Sequence, residues 1–325
     1  MGGDWGDVRT HAPGEVNCPM NAPRMAVAPR ASSFACEAVT AGGGVVVGIE
    51  EQPDALVWLD HRDVAGLAKA LADAPGIRWV QLPFAGIDNF VAAGVVDGTR
   101  AWTSAKGAYA EPVAEHALTL ALAGLRVLPT RVVATSWGEE AATSLFDAQV
   151  CILGGGGIAR VLLDLLVPFR VDATVVRRRL SPVPGASRVV GLSDLHDVLP
   201  GSLLVFLALA LTPETRGVIG AAELTLMRED AWLVNVARGP HVDTGALVAA
   251  LEAGDIAGAA LDVTDPEPLP DGHPLWGLPN CIITPHTADT RAMVRPLLAG
   301  RIRTNVSRFA AGEELVGVVD PAAGY

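Results

Sequence analysis

Short apolar runs alternate with longer amphipathic ones along most of the chain. Ala55–Leu59, Arg78–Leu82, Gln149–Leu153, Ala173–Val176, Leu203–Leu211, Ala231–Val236, Ile256–Leu261 and Cys281–Thr284 read as strands. Val64–Asp73, Glu111–Arg126, Ile158–Leu166 and Thr290–Ala311 read as helices. In the long helix Glu111–Arg126, Val113, Ala117, Leu118, Leu120 and Leu122 supply the apolar surface. Strands that alternate with helices form βαβ units, and these build parallel sheets; the predicted class is α/β. The nine apolar residues Leu203–Leu211 suit a strand buried on both faces. They are too few to cross a bilayer, which takes about 20 residues.

Composition narrows the picture. A chain of 325 residues suggests about two domains. Half of the residues are hydrophobic and 18% are charged, which excludes a disordered polyampholyte. Lys+Arg number 24 against 36 Asp+Glu, a net charge of −12. That balance speaks against nucleic-acid phosphates as the main partner. Cys18, Cys36, Cys151 and Cys281 have no CxxC spacing, so a reducing, cytoplasmic setting is expected and a metal site is not. The opening MGGDWGDVRT lacks the apolar core of a signal peptide. Residues 1–24 are expected to be a disordered tail.

The sharpest local pattern is VCILGGGGIARVLLDLL, Val150–Leu166. A strand runs into glycines and then into a helix, and Gly154, Gly156 and Ala159 fit G-x-G-x-x-G/A. Gly154 permits a tight turn, Gly156 lets backbone approach a pyrophosphate, and Ala159 allows close helix–strand packing. The helix N-terminus favours phosphate charge. A dinucleotide-binding turn is predicted, against a bare glycine-rich turn. The second strand of such a fold usually ends in an acid that binds the ribose 2′-hydroxyl. Here that place falls at Arg177, with Arg178 and Arg179 next. Guanidinium groups grip a 2′-phosphate, so NADP is preferred, with NAD possible; the alternative is a solvated basic turn. Neither Tyr109 nor Tyr325 has a lysine four residues on, which excludes short-chain reductases.

Beyond the glycine turn come LVNVARGPHVDTGALVAALEAGDIAGAALDVTDPEPLP and CIITPHTADT. With FAGID (Phe84–Asp88), VAEHALTLALAGLR (Val113–Arg126) and LTPETRGVIG (Leu211–Gly220), these motifs stand in one order from about Ala55 to Val319. The chain resembles the D-isomer-specific 2-hydroxyacid dehydrogenases. The resemblance implies two doubly wound parallel-sheet domains. A Rossmann-type cofactor domain, residues 125–290, is inserted in a discontinuous, flavodoxin-like outer domain, residues 25–124 and 291–325. It implies a homodimer through the central domain, with the helix near Val113–Leu122 and Trp137 as contacts, although Trp137 fits packing within one subunit equally well.

The resemblance also assigns residues. Arg238 matches the substrate-carboxylate arginine, Glu267 the acid that partners the catalytic histidine, and His286 the general acid/base. Ala85 and Gly86 match the loop whose N–H groups meet the substrate carboxylate. Gly154, Gly156, Gly157, Ile158, Arg177, Arg178, Thr212, Val236, Ala237 and Asp262 fall at cofactor-binding positions, Asp262 near the nicotinamide carboxamide. His116 and His241 lie beside family motifs and read as a helix and a loop residue of low functional weight; Glu115 reads as a structural charge. Ala208 and Ala210 stand where many members carry a histidine and a proline.

The chemistry agrees with these roles. Reduction of a 2-keto acid needs a hydride at C2 and a proton at the carbonyl oxygen. A histidine titrates near neutral pH and exchanges that proton. An adjacent carboxylate raises its pKa, and an arginine fork suits a planar carboxylate. The implied function is a NAD(P)-dependent oxidoreductase acting between 2-keto and D-2-hydroxy acids. The alternative from another class is a non-catalytic NAD(P)-binding sensor or corepressor-like relative.

Overall fold

The structure is a computed structural model that describes residues 22–320. The tail expected over residues 1–24 lies outside the described residues as far as residue 21, and Arg24 already stands in a strand. Five parallel strands form the first sheet: β1 (Arg24–Ala28), β2 (Val45–Val46), β3 (Ala55–Trp58), β4 (Trp79–Gln81) and β5 (Ala101–Thr103), in the order β2-β1-β3-β4-β5. The helices between them are α1 (Ser33–Ala41), α2 (Val64–Asp73) and α3 (Asp88–Ala92). Two more, α4 (Ala110–Leu125) and α5 (Leu128–Val132), lead to the second sheet.

Seven parallel strands form that sheet: β6 (Gln149–Leu153), β7 (Asp172–Val176), β8 (Arg188–Val190), β9 (Leu204–Leu207), β10 (Trp232–Asn235), β11 (Gly258–Leu261) and β12 (Cys281–Ile283). Their order is β12-β11-β10-β9-β6-β7-β8. The connecting helices are α6 (Gly157–Leu166), α7 (Leu195–Val198), α8 (Ala221–Leu226) and α9 (Thr244–Ala253). The first sheet thus has the flavodoxin-like order and the second the Rossmann order. The last helix, α10 (Arg291–Ala311), returns to pack on α1, where Ser307 Oγ donates to the carbonyl of Gly42 at 3.0 Å.

The central strands are apolar on both faces because helices cover both. Ile152, Phe206, Val234 and Ala260 are partners across the sheet and enter one core. Their alternates Cys151, Val205, Leu233 and Ala259 enter the core on the opposite face. On α6, Ala159, Leu162, Leu163 and Leu166 recur at helical spacing and are all buried.

The apolar run at 203–211 is not all strand. β9 stops at Leu207, and the chain then leaves the sheet. There the Ala210 carbonyl accepts from Thr215 Oγ1 at 2.9 Å and lies 3.3 Å from His241 Nε2. Ala208 is still buried there, but Leu209 and Leu211 are only partly buried and Ala210 is exposed, so the apolar run outlasts the strand.

The helix at Val113–Leu122, expected among the dimer contacts, turns one face into its own chain. Val113, Ala117 and Leu120 are buried within the chain, where α4 packs on α6. The exposed apolar groups come just afterwards: Val132 is 81% and Trp137 96% exposed. Trp137 therefore does not pack within its own chain.

Candidate active site

In parallel α/β sheets the carboxyl ends of the strands open onto the binding crevice. Here those of β4, β6, β10, β11 and β12 are followed by Phe84–Gly86, Gly154–Gly157, Arg238, Asp262 and Thr284–His286. The glycine turn fits a pyrophosphate. Gly154 has φ +111°, and a Cβ there would stand 2.2 Å from the carbonyl oxygen of Ala208. At Gly156 a Cβ would meet nothing within 4 Å, so the space above the turn is open. No side chain caps α6, which leaves its first N–H groups for a phosphate. Gly157 approaches Gly107 of the first sheet's side, with Gly107 Cα 3.1 Å from where its Cβ would be. Ile158 packs on the core behind the turn.

Arg177 directly follows β7, and its backbone N–H donates to Val190 at 2.9 Å. Its side chain lies over the glycine turn: a Cβ on Gly155 would stand 2.8 Å from Arg177 Cδ and 3.0 Å from Nη1. Arg178 and Arg179 are exposed beside it. Thr212 lies past β9, where its N–H donates to Thr215 Oγ1 at 2.8 Å. Val236 and Ala237 are buried past β10, and the N–H of Ala237 donates to Asn235 Oδ1 at 3.0 Å.

Arg238 reaches across the crevice. Nη1 donates to the Ala237 carbonyl at 2.7 Å, and Nε points at Asp88 Oδ2, 3.4 Å away on the N-terminal turn of α3. The guanidinium tip lies over Gly86, where a Cβ would stand 1.7 Å from Nη2. The backbone of Arg238 is fixed from below. Its N–H donates to His241 Nδ1 at 3.2 Å, and its carbonyl accepts from Asn235 Nδ2 at 2.9 Å. Burial disfavours the charged imidazole and lowers the pKa of His241, against the opposing pull of the Ala210 and Arg238 carbonyls beside its ring.

His286 stands on a second scaffold. Asp262 is 2% exposed, and its carboxylate accepts from Thr284 Oγ1 (2.6 Å) and from the N–H groups of Thr287 (2.9 Å) and Ala288 (3.1 Å). His116 of α4 donates from Nε2 to Thr284 Oγ1 at 3.0 Å and lies 3.4 Å from Asp262. Burial alone would raise the Asp262 carboxyl; the hydrogen bonds outweigh it and leave the pKa below the usual value. This cage holds His286 at φ +52°, a left-handed conformation uncommon for a side chain with a Cβ. The N–H of His286 donates to the carbonyls of Asp262 and Thr284, both at 2.9 Å.

From there Nδ1 of His286 donates to Glu267 Oε1 at 2.7 Å, so Nε2 is the ring nitrogen left for a substrate. The hydrogen bond to Glu267 raises the pKa of His286 and lowers that of Glu267. Arg238, Glu267 and His286 thus sit in one electrostatic neighbourhood.

Four residues near this site carried little or no functional weight in the sequence. Asp88 engages Arg238, His241 orients its backbone, and His116 braces the turn of His286. Asp289 stands three residues after His286 and is half-buried. The sequence signal was their placement inside motif blocks: FAGID, VAEH, GPH and TADT. Glu115 is exposed and forms no ion pair among the described residues.

Two parallel-sheet domains, a glycine turn at a helix N-terminus and a facing His–carboxylate pair with an arginine define a nicotinamide-dependent oxidoreductase. Comparison with known proteins narrows this. Residues 117–288 match the family model "D-isomer specific 2-hydroxyacid dehydrogenase, NAD binding domain". The chain is 41% identical over 295 residues to an uncharacterised protein encoded in the proB 3′ region of Corynebacterium melassecola, covering 89% of this chain and 95% of that one. It is 34% identical over 175 residues to glyoxylate/hydroxypyruvate reductase A of Yersinia enterocolitica, covering 54% and 55%. A D-isomer specific 2-hydroxyacid dehydrogenase from Xanthobacter autotrophicus Py2, solved with NADPH and MES, superposes with a TM-score of 0.81 at 30% identity, covering 94% of this chain and 100% of that one. The chain belongs to the D-isomer specific 2-hydroxyacid dehydrogenase family.

Proposed function

We propose that the protein reduces a small 2-keto acid to its D-2-hydroxy acid with NADPH, His286 serving as the acid/base. The observation that carries this reading is the 2.7 Å contact between His286 and Glu267, on the same crevice as Arg238 and the glycine turn. A bound reduced nicotinamide supplies the hydride. Gly154–Gly157 and the N-terminus of α6 would hold its pyrophosphate, Arg177 and Arg178 its 2′-phosphate, and Thr212, Val236 and Ala237 would line its nicotinamide half. Asp262 acts there through the turn it cages. Arg238 binds the substrate carboxylate, helped by the N–H groups at Ala85 and Gly86, and polarises the keto oxygen. His286 holds a proton at Nε2 and delivers it to that oxygen; Glu267 keeps the imidazolium stable until then. In the reverse direction neutral His286 takes the proton back.

Arg177 supports the cofactor choice, as does the NADPH complex of the Xanthobacter relative. A charge-assisted bond is worth roughly tenfold to a hundredfold in affinity. Initial rates with glyoxylate, hydroxypyruvate and phenylpyruvate, each with NADPH and NADH, test the reading. A lower KM for NADPH is expected, and Arg177→Asp should reverse the order because it removes the attraction and adds repulsion. A clear NADH preference would remove Arg177 from the cofactor site. No turnover of any 2-keto acid would overturn the activity.

The Glu267 contact sets a pH dependence. Reduction needs protonated His286, so the rate falls as pH rises through its pKa. The hydrogen bond from Nδ1 to Glu267 raises that pKa above 6.5, which extends reduction to higher pH. Glu267→Gln removes the countercharge and should move the decline in kcat for keto-acid reduction to lower pH. An unmoved profile would show that the titrating group is not coupled to Glu267.

We further propose the boundaries 25–124 plus 291–325 for the outer domain and 125–290 for the cofactor domain, a cytoplasmic setting in keeping with the free thiols of Cys36, Cys151 and Cys281, and a homodimer. Exposed Val132, Val133 and Trp137 support the dimer. Sedimentation velocity checks it, and a species of one chain would overturn it.

A further inference from the structure

Arg301 stands on α10, outside the loops that form the crevice, and its guanidinium donates to main-chain carbonyls. Nη1 donates to Ser104 at 2.8 Å and Nη2 to Lys106 at 2.9 Å. The backbone makes room for this fork. Gly317 has φ +77°, and a Cβ there would stand 2.2 Å from Arg301 Nη1 and 2.5 Å from the Ser104 carbonyl oxygen. The N–H of Ser104 donates to the Gly317 carbonyl at 2.9 Å, which closes the clamp. One turn further along α10, on the same face, Asn305 is fully buried. Its Nδ2 donates to Gln81 Oε1 at 2.9 Å, and Gln81 Nε2 donates to the Leu82 carbonyl at 2.8 Å.

The clamped segment, Ser104–Tyr109, touches both binding loops. On one side it holds the loop that leads to Ala85 and Gly86. The N–H of Ala105 donates to the Phe84 carbonyl at 3.1 Å, and Tyr109 Oη donates to the Pro83 carbonyl at 2.5 Å. On the other side it lies against the glycine turn. A Cβ on Gly157, the first residue of α6, would stand 3.1 Å from Gly107 Cα and 3.3 Å from Ala110 Cβ. Gly107 and Gly157 have no side chains to flex, so main chain meets main chain and a displacement of one is passed to the other. The bond from the Ala108 N–H to the Ala105 carbonyl, 2.8 Å, folds the segment into a single tight turn. A guanidinium holds two acceptors at a fixed separation, which an ammonium does not.

We propose that Arg301 is a positioning residue that couples the cofactor turn to the keto-acid loop. With Ser104 and Lys106 clamped, a cofactor on Gly154–Gly157 and a keto acid at Ala85–Gly86 stabilise the same placement of Ser104–Tyr109, so each tightens the binding of the other. The proposal rests on the NADPH and 2-keto acid reading given above.

Calorimetric titration with oxamate, an unreactive isostere of pyruvate, with and without saturating NADPH reads the coupling as a ratio of dissociation constants. The ratio is taken within each variant, so a general loss of affinity cancels. The wild type should bind oxamate roughly tenfold more tightly with NADPH present. Arg301→Met keeps the stem and removes both donors. Its ratio should fall by roughly fivefold, the direct contact of nicotinamide with oxamate supplying what remains. Arg301→Lys keeps the charge without the fork and should recover part of the loss. A ratio in Arg301→Met equal to that of the wild type would overturn the proposal.

Amide hydrogen exchange gives a second reading that needs no keto acid. NADPH alone should slow exchange at Ala105 and Ala108 by roughly the same tenfold in the wild type, and much less in Arg301→Met. If the wild type did not bind oxamate, the 2-keto acid reading would fail, and exchange would decide by itself: equal slowing in the two proteins, or none in the wild type, overturns the proposal. Should Arg301→Met not fold, Arg301→Lys carries both measurements, and values equal to wild type there overturn it as well.

Discussion

His286→Ala is expected to cut kcat for keto-acid reduction by roughly 10²- to 10⁴-fold, the usual contribution of a positioned acid/base. The substitution is clean for a structural reason. His286 sits at φ +52°, where alanine, which also has a Cβ, meets the same backbone cost as histidine. Its N–H bonds to the carbonyls of Asp262 and Thr284 belong to the main chain and persist. The Asp262 cage uses Thr284, Thr287 and Ala288 and does not involve the imidazole. What disappears is the proton at Nε2 and the partner of Glu267. Cofactor affinity, read by quenching of protein fluorescence, should stay close to that of the wild type, because the glycine turn is built from other strands. The alanine variant should also lose the decline of rate with rising pH that His286 imposes. Turnover near the wild-type value would remove His286 from the mechanism.

Gly86→Ala is expected to lower kcat/KM for the keto acid by about 10²-fold with little change in Tm. Gly86 is not in the left-handed region, so its backbone accepts alanine. The obstacle is the new Cβ, placed 1.7 Å from Arg238 Nη2 and 2.8 Å from its Cζ. Both atoms belong to the tip of a flexible side chain, so the fold absorbs the change by moving the guanidinium. That movement pulls Nε from Asp88, now 3.4 Å away, and swings the fork off the substrate carboxylate. A misplacement of about 1 Å at a binding group costs on the order of 10²-fold. The loss should appear in KM as well as kcat, since the proposed mechanism has Arg238 both bind the substrate and polarise its carbonyl. An unchanged kcat/KM in a folded variant would show that the Arg238 fork does not hold the carboxylate.

Much of this molecule was legible in its sequence, and the reason is periodicity. β6, β7 and β10–β12 lie within a residue or two of their apolar runs because a strand covered on both faces must be apolar throughout. The glycine turn was legible because a tight turn and a helix N-terminus need particular residues at particular spacings. The segment β1–α1–β2 was not. β1 has five residues between two prolines and β2 has two, too short for a period to register, and β2 exists only through its pairing with β1. The end of β9 was misjudged because apolar residues continue past Leu207, where the strand pairing stops.

The sequence by itself determined the α/β class, the glycine turn and the types of residue available for chemistry: an arginine, a glutamate and a histidine in recognisable motifs. Only the tertiary structure decided which of them act on one another. Arg238 meets Asp88 across 150 positions, His116 meets Thr284 across 168, and His286 meets Glu267 across 19. Neither periodicity nor spacing encodes such contacts: His286 and Glu267 meet because β11 and β12 are neighbours in one sheet, and Arg238 and Asp88 meet because the loops after β10 and β4 of the two sheets face each other.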